Sequence, residues 1–223
     1  MKRILFIGLF LVAQAAVAQT VKQVGEFTSL KVFDKIQAVL VPSNEFKVEL
    51  SGGETDQVEI VNKNGSLRLK MALSKTLQGD GIKAIVYYKN LDAIEVNEGA
   101  TIESESVIDD VALTINAKTG GKISLKVKVE RLNIKASSGG ITLIKGKAKM
   151  QDIIANSGAF VNHKDLETEQ TDVTVNAGGQ AEVRASLLVD AKTRAGGIIS
   201  IYGDPKTINE KTIAGGSIKK VKK

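Results

Sequence analysis

Apolar and polar residues alternate along most of this chain, and from residue 94 onward a Gly-Gly or Gly-Ala pair interrupts the alternation at near-regular intervals. The pairs are Gly99-Ala100, Gly120-Gly121, Gly139-Gly140, Gly158-Ala159, Gly178-Gly179, Gly196-Gly197 and Gly215-Gly216, spaced by 21, 19, 19, 20, 18 and 19 residues. Recurrence at one period is the mark of a repeat architecture. The flanking columns agree with it. Five residues before each first glycine stand Ile94, Ile115, Ile134, Ile153, Val173 and Ala191, and only Glu210 breaks the column. Three before come Val96, Ala117, Ala136, Ala155, Val175, Thr193 and Thr212; three after come Ile102, Ile123, Thr142, Val161, Ala181, Ile199 and Ile218. Side chains two apart on a strand share a face, so these columns predict strand, corner, strand in every repeat.

Such a unit buries all its columns when each turn of chain stacks on the last. The pattern therefore predicts an all-β protein whose residues 91–218 form a parallel β-helix, or solenoid, of roughly 19-residue rungs. Rungs ~4.8 Å apart would span about 34 Å over seven turns. Glycine suits the corner because it adopts positive φ freely, and its Gly or Ala partner keeps stacked corners from colliding. The preceding residue is small after the first pair (Thr119, Ser138, Ser157, Ala177, Ala195, Ala214), which predicts a flat strip of small residues along one edge.

Residues 24–90 alternate without that period. Apolar positions recur at Leu30 and Val32, at Phe46, Val48 and Leu50, at Val58 and Ile60, and at Leu67, Leu69 and Met71. Turn signals fall at Pro42-Ser43-Asn44, Ser51-Gly52-Gly53 and Asn64-Gly65. Asn-Gly between two alternating runs is a strong hairpin signal. Residues 19–90 are therefore expected to form an antiparallel β meander that caps the solenoid, whose open end would otherwise expose unpaired backbone. Residues 73–81 read as an exposed loop.

The first 18 residues have the form of a signal peptide: basic Lys2 and Arg3, an apolar run over 4–12, and Ala16-Val17-Ala18 as a small-x-small cleavage site. That run is shorter than the ~20 residues a membrane-spanning helix needs. The chain has no cysteine for lipid attachment or disulfides. The expectation is export to the periplasm, the outer surface or the medium, with no integral membrane segment after cleavage. Removing Lys2 and Arg3 from 31 basic and 25 acidic residues leaves 29 against 25, a mild excess of +4. With aromatics at 4% and no Trp, the interleaved basic and aromatic residues of a nucleic-acid groove are missing. The dense basic run, at 219–223, reads as a solubilising tail.

Candidate chemistry is sparse. The small-residue edge, with Ser138 and Ser157, could accept an extended glycan or a strand, or could be steric necessity at a tight bend. Asn97, Asn116, Asn156 and Asn176 recur near the same corners and suggest an amide ladder. Tyr87-Tyr88 is the one local aromatic pair, able to stack on a sugar if one ring faces out while the other joins the core. Acids gather near the first repeat: Glu98, Glu103, Glu105, Asp109 and Asp110. Asp109 and Asp110 would point to opposite sides of a strand and are expected to lie in a solvated connection between rungs. The one histidine, His163, falls in the column of Leu125, Ile144, Val183 and Ile201 and reads as a partly buried, hydrogen-bonded rung residue. Nothing points to a cofactor, to a zinc or copper site, or to a calcium loop.

The opening Phe27-Thr28-Ser29-Leu30-Lys31-Val32, the following Phe33-Asp34-Lys35-Ile36, the run Phe46-Lys47-Val48-Glu49-Leu50 and the glycine corners together resemble the secreted bacterial family called putative auto-transporter adhesin, head GIN domain, common in Bacteroidetes. The resemblance covers essentially the whole mature chain. Where the family often has Gly-Ile-Asn, this chain has Lys35-Ile36-Gln37. The resemblance implies a right-handed, parallel-β-rich head with a role in adhesion and supplies no catalytic residues. The expected function is a non-catalytic binding module, secreted or at the cell envelope, whose partner is a cell-surface glycan or protein. Its alternatives are a carbohydrate-active enzyme on a β-helix scaffold and a periplasmic envelope-maintenance protein without a ligand.

Overall fold

The computed structural model describes residues 20–221. The expected signal peptide, 1–18, and the last two lysines of the tail lie outside the described residues. The N-terminal part contains β1 (Thr20–Gln23), β2 (Ser29–Val32), β3 (Gln37–Pro42), β4 (Lys47–Gly52), β5 (Val58–Lys63), β6 (Ser66–Met71) and β7 (Ile82–Tyr88). The repeating part runs through β8 (Ala93–Val96), β9 (Thr101–Lys118), β10 (Lys122–Ser137), β11 (Ile141–Ala155), β12 (Phe160–His163) and β13 (Leu166–Asn176). It ends with β14 (Gln180–Ala185), β15 (Leu188–Arg194), β16 (Gly197–Gly203), β17 (Thr207–Ile213) and β18 (Gly216–Lys220). There is no α-helix among the described residues, and no helix long and apolar enough to cross a membrane.

The predicted columns are the inter-rung registers. Ile94, Ile115, Ile134, Ile153, Val173, Ala191 and Glu210 pair in succession through parallel ladders. Ile94, Ile115, Ile134 and Ile153 are 0, 0, 1 and 2% exposed. Glu210 breaks the column because it sits in the last rung of the described residues, where it is exposed and a charge stays hydrated. Each rung has two faces. The face after the glycine corner carries Ile102, Ile123, Thr142, Val161 and Ala181 inward; the face before the next corner carries the isoleucine column; both meet in one core.

The glycine corners are type I′ turns. In the third, Ser138 and Gly139 have φ of 51° and 75°, and the Gly140 N–H donates to the Ser137 carbonyl at 2.9 Å. The ladder continues through the bend, since Gly139 N–H donates to the Ser157 carbonyl of the next rung at 3.2 Å. Gly139 is required by its dihedral, Gly140 by crowding: a Cβ there would lie 2.1 Å from the Ala117 carbonyl oxygen. The residue before the glycine is left-handed in every repeat, from Glu98 to Ala214. Stacking then keeps it small, and the strip of small residues is the result.

The N-terminal part has the expected antiparallel pairs, β5 with β6 across the Asn64-Gly65 turn, β4 with β7 and β1 with β4. It is not a meander throughout. β2 pairs in parallel with both β6 and β8, and β3 in parallel with both β7 and β9, so 29–42 form a rung inserted between β6–β7 and the first repeat. Its corner, Phe33 to Ile36, matches the others: Asp34 and Lys35 have φ of 57° and 63°, and Lys35 N–H donates to the Glu98 carbonyl at 2.9 Å. Lys35 thus holds the dihedral that Gly99 holds one rung on. The 73–81 loop folds over this corner, tied by Asp34, whose carboxylate accepts the Met71 and Leu77 N–H groups at 3.0 Å each. Leu73 at its tip is 89% exposed.

At the far end Lys219 and Lys220, expected in the tail, belong to β18, paired with Ser200 and Ile201. β17 pairs only with β15 and β18 only with β16, so their outer edges are unpaired among the described residues and carry Lys211, Lys219 and Lys220.

Two substitutions test the corner. Gly140→Ala should cost about 1–3 kcal/mol by overpacking, whereas Lys35→Gly should gain about 0.5–1 kcal/mol by relieving a left-handed side-chain residue. Urea unfolding midpoints check both; equal and opposite signs to these would refute the corner assignment.

Candidate binding site

Ser138 and Ser157 are exposed on the small-residue edge, and their carbonyls accept the Gly120 and Gly139 N–H groups of the preceding rung at 3.0 and 3.2 Å. The four asparagines do not form one ladder. Asn176 donates to Asn156 Oδ1 at 2.7 Å, a single rung-to-rung step. Asn97 accepts the Glu98 N–H at 3.0 Å within its own corner. Asn116 pairs in register with Glu95 and Lys135, in a different column, because it stands four rather than two residues before its glycine.

Tyr88 is 3% exposed and points into the core, so it belongs to no surface. Tyr87 points outward, but its hydroxyl donates to Glu49 at 3.1 Å and Lys47 Nζ sits 4.6 Å from the ring centroid. An ammonium occupies the face a sugar would need.

Three of the acids near the first repeat each have a contact of their own. Glu105 receives Lys126 at 3.2 Å and Asp109 receives Lys128 at 2.8 Å. Asp110 accepts the Val111 N–H at 2.7 Å. Asp109 and Asp110 lie within β9, in register with Lys128 and Val129, and not in a connection between rungs. Glu98 lies at the first corner beside buried Asp34, and burial together with the Asp34 carboxylate holds its pKa above the ordinary range.

His163 is fully buried, further in than its pattern suggested. It belongs to a directed chain of hydrogen bonds. Thr142 donates to Nε2 (3.1 Å) and Nδ1–H donates to Gln151 Oε1 (3.1 Å). Gln151 Nε2 donates to Thr171 Oγ1 (2.9 Å), Thr171 to Thr168 (2.9 Å), and Thr168 to the Arg184 carbonyl (2.6 Å). Every donor in the chain has an acceptor only if the imidazole is neutral. Desolvation lowers its pKa to about 3.

That chain ends under a surface groove of about 760 Å³ at the bend opposite the glycine edge. Side chains of five successive rungs line it, among them Lys128, Lys149, Glu167, Glu169, Arg184 and Asp204. Unequal rung lengths make room for it. Leu143 pairs with Asn162 but Gly146 with Leu166, so rung four carries one extra residue, Asp165, at the bend. His163 pairs with Val183 but Gln170 with Leu188, so the next rung is two residues shorter there. The adjacent spacings of 20 and 18 between glycine corners are the trace of this step in the sequence. Gly146, at φ 114°, accommodates it: a Cβ would lie 2.1 Å from the Val127 carbonyl oxygen. Charges on the groove walls pair across rungs, Lys147 with Glu167 at 3.4 Å and Lys149 with Glu130 at 3.8 Å. No group of three or more metal-ligating side chains gathers among the described residues.

The class that the fold defines is the parallel β-solenoid, with antiparallel strands at its N-terminal end. The chain belongs to the family described as putative auto-transporter adhesin, head GIN domain, which matches residues 26–205. No curated protein matches it in sequence. Among solved structures it is similar to a putative adhesin from Bacteroides fragilis NCTC 9343, with 18% identity, TM-score 0.82, and coverage of 92% of this chain and 96% of that one. A putative adhesin from Parabacteroides merdae ATCC 43184 gives 17% identity and TM-score 0.75, over 92% of this chain and 96% of its own. A putative lipid binding protein from Parabacteroides distasonis ATCC 8503 gives 14% and 0.70 with the same coverage, 92% and 96%. At these identities the likeness is one of fold.

The buried histidine gives a prediction with a definite sign. Its folded pKa lies below the unfolded value, so its neutral form contributes stability in full above about pH 6.5, and that stability is lost as the pH falls toward about 3, at about 1.4 kcal/mol per pH unit. His163→Leu should cost about 1–3 kcal/mol at pH 7 by leaving Gln151 and Thr142 unpaired. The gap between the two proteins should shrink and then reverse on acidification. Urea unfolding from pH 7 to 4 measures it; a gap that stays constant would exclude a neutral buried imidazole.

Proposed function

We propose that the protein is a non-catalytic binding module of the cell envelope, cleaved after Ala18 and exported, which holds its partner against the outer surface of the solenoid around the bend groove. The observation that carries this reading is the groove itself: an open trough built from side chains of five consecutive rungs, suited to contact an extended partner at several points. The acids expected near the first repeat support it, since Glu105, Asp109 and Asp110 are each engaged in a contact of their own. Membership of an adhesin family supports export and binding, and the neighbours named as adhesins and as a lipid binding protein point the same way. Reading residues 19–90 and 91–218 as one structural domain is supported by the rung at 29–42, which pairs with strands of both parts.

The test is a screen of the mature chain, residues 19–223, against panels of cell-surface glycans and envelope proteins, with chromatography of any bound saccharide. Retention without shortening is expected. Shortening that disappears with Glu167→Gln or Glu169→Gln would establish an enzyme in the groove instead, and absence of binding to every panel would favour the ligand-free reading.

A further inference from the structure

From the second corner onward the sixth residue after each first glycine forms a column on the outer surface of the post-corner face: Lys126, Lys145, Lys164, Arg184 and Tyr202. Lys126 pairs in register with Lys145, and Arg184 with Tyr202. Lys145 and Lys164 each stand two residues past the paired Leu143 and Asn162, and Arg184 Nε donates to the Lys164 carbonyl at 2.6 Å. Four cations therefore follow one another along the solenoid axis at the rung spacing, over ~14 Å. Like charges so close repel, and nothing in the rung architecture requires them. At one end of the column Lys126 is paired with Glu105, and the neighbouring Lys128 and Lys147 are paired with Asp109 and Glu167. Lys145 and Lys164 have no carboxylate partner among the described residues.

Beside this column lies an apolar cluster on the same outer face. Ile141 pairs in register with Phe160, and Leu143 stands two residues after Ile141; all three are half-buried side chains that the core does not claim. On the other side of the cluster Lys122 pairs with Ile141.

We propose that this face binds a single chain of a linear acidic polysaccharide, lying along the solenoid axis with its carboxylates on Lys145, Lys164 and Arg184 and the apolar faces of its rings on Phe160, Ile141 and Leu143. The proposal rests on the binding-module reading and gives it a ligand class. Charge complementarity selects a narrow strand over a broad anionic surface. Glu105 stands at Lys126, Glu103 and Glu182 flank the column on one side and Glu130, Glu167 and Glu169 on the other, so a membrane plane would meet both signs while a single chain over Lys145, Lys164 and Arg184 meets only cations. A nucleic acid would need a run of stacking platforms, and the bases here are accompanied by two separated rings, Phe160 and Tyr202, and by aliphatic side chains.

Polygalacturonate, the same polymer fully methyl-esterified, phosphatidylglycerol vesicles and an oligothymidylate are the probes, each titrated into the mature chain. Polygalacturonate should bind and the ester should not. Binding should weaken about tenfold in Lys145→Gln/Lys164→Gln, as expected for two lost ion contacts, and fall again with added salt. The control, Lys135→Gln/Lys192→Gln on the opposite face, should leave it unchanged, and unfolding midpoints of both pairs should match the parent. Equal binding of the ester, equal loss in the control pair, or preference for vesicles or oligothymidylate would overturn the proposal. If no acidic polymer binds while the glycan and protein panels yield another partner, the column falls and the binding-module reading stands. If neither yields a partner, both fall.

Discussion

How closely one corner can sit on the next governs this protein. The parallel ladder fixes the rise per rung, and a carbonyl from the neighbouring rung crowds the second residue of the Gly-Gly pairs. Hydrogen alone fits at Gly140, above the Ala117 carbonyl, and nothing larger than the methyl of Ala100 or Ala159 stands at the equivalent places. Once that contact is satisfied, the rest follows by alternation: residues three before and three after must point inward, and the core is the sum of those columns. The left-handed residue ahead of each glycine is the cost of the arrangement, about 1 kcal/mol for each non-glycine. Burial of two continuous columns offsets it.

A solenoid with identical rungs would have smooth sides. Departures from identity are tolerated at the bend opposite the glycine corners, where the strands curve and Gly146 and Gly203 take up positive φ. Rung four is longer there and rung five shorter, and the groove is the difference. Unequal rungs also disturb the interior, and the polar chain from Thr142 through His163 to Thr168 fills that part of the core. Its donors and acceptors match in only one order. It thereby opposes slippage of the ladder at the place where rung length is least regular, a role apolar packing alone would not perform.

Much of this was legible in the residues. Each assigned column became a register, including the failure at Glu210, because burial on one side of a strand leaves a period of two that no other arrangement satisfies. The placement of 29–42 was not legible, since alternation says which side chains point inward and nothing about which strand lies alongside. The groove was half legible. Spacings of 20 and 18 stood in plain view, but their meaning depends on where within the rung the residues are gained and lost. Of the candidate site residues, Tyr88 was lost to the core and Asn116 to another column; proximity to a corner in sequence had stood in for position within the rung. The cation column was present in the spacing too, hidden because lysine at alternate positions is what any solvated strand shows.

The inserted rung has a consequence for the order of events in the life of the chain. β2 and β3 cannot complete their pairing until both β6–β7 and β8–β9 have formed, although they precede them in synthesis. The first strands wait for partners that emerge later, and the rung then closes with neighbours above and below. Afterwards it cannot be peeled away from the end like the outermost layer of a stack. Tension applied at residue 29 must first displace β6 and β7 or separate the inserted rung from the repeats, so the N-terminal end is latched from within.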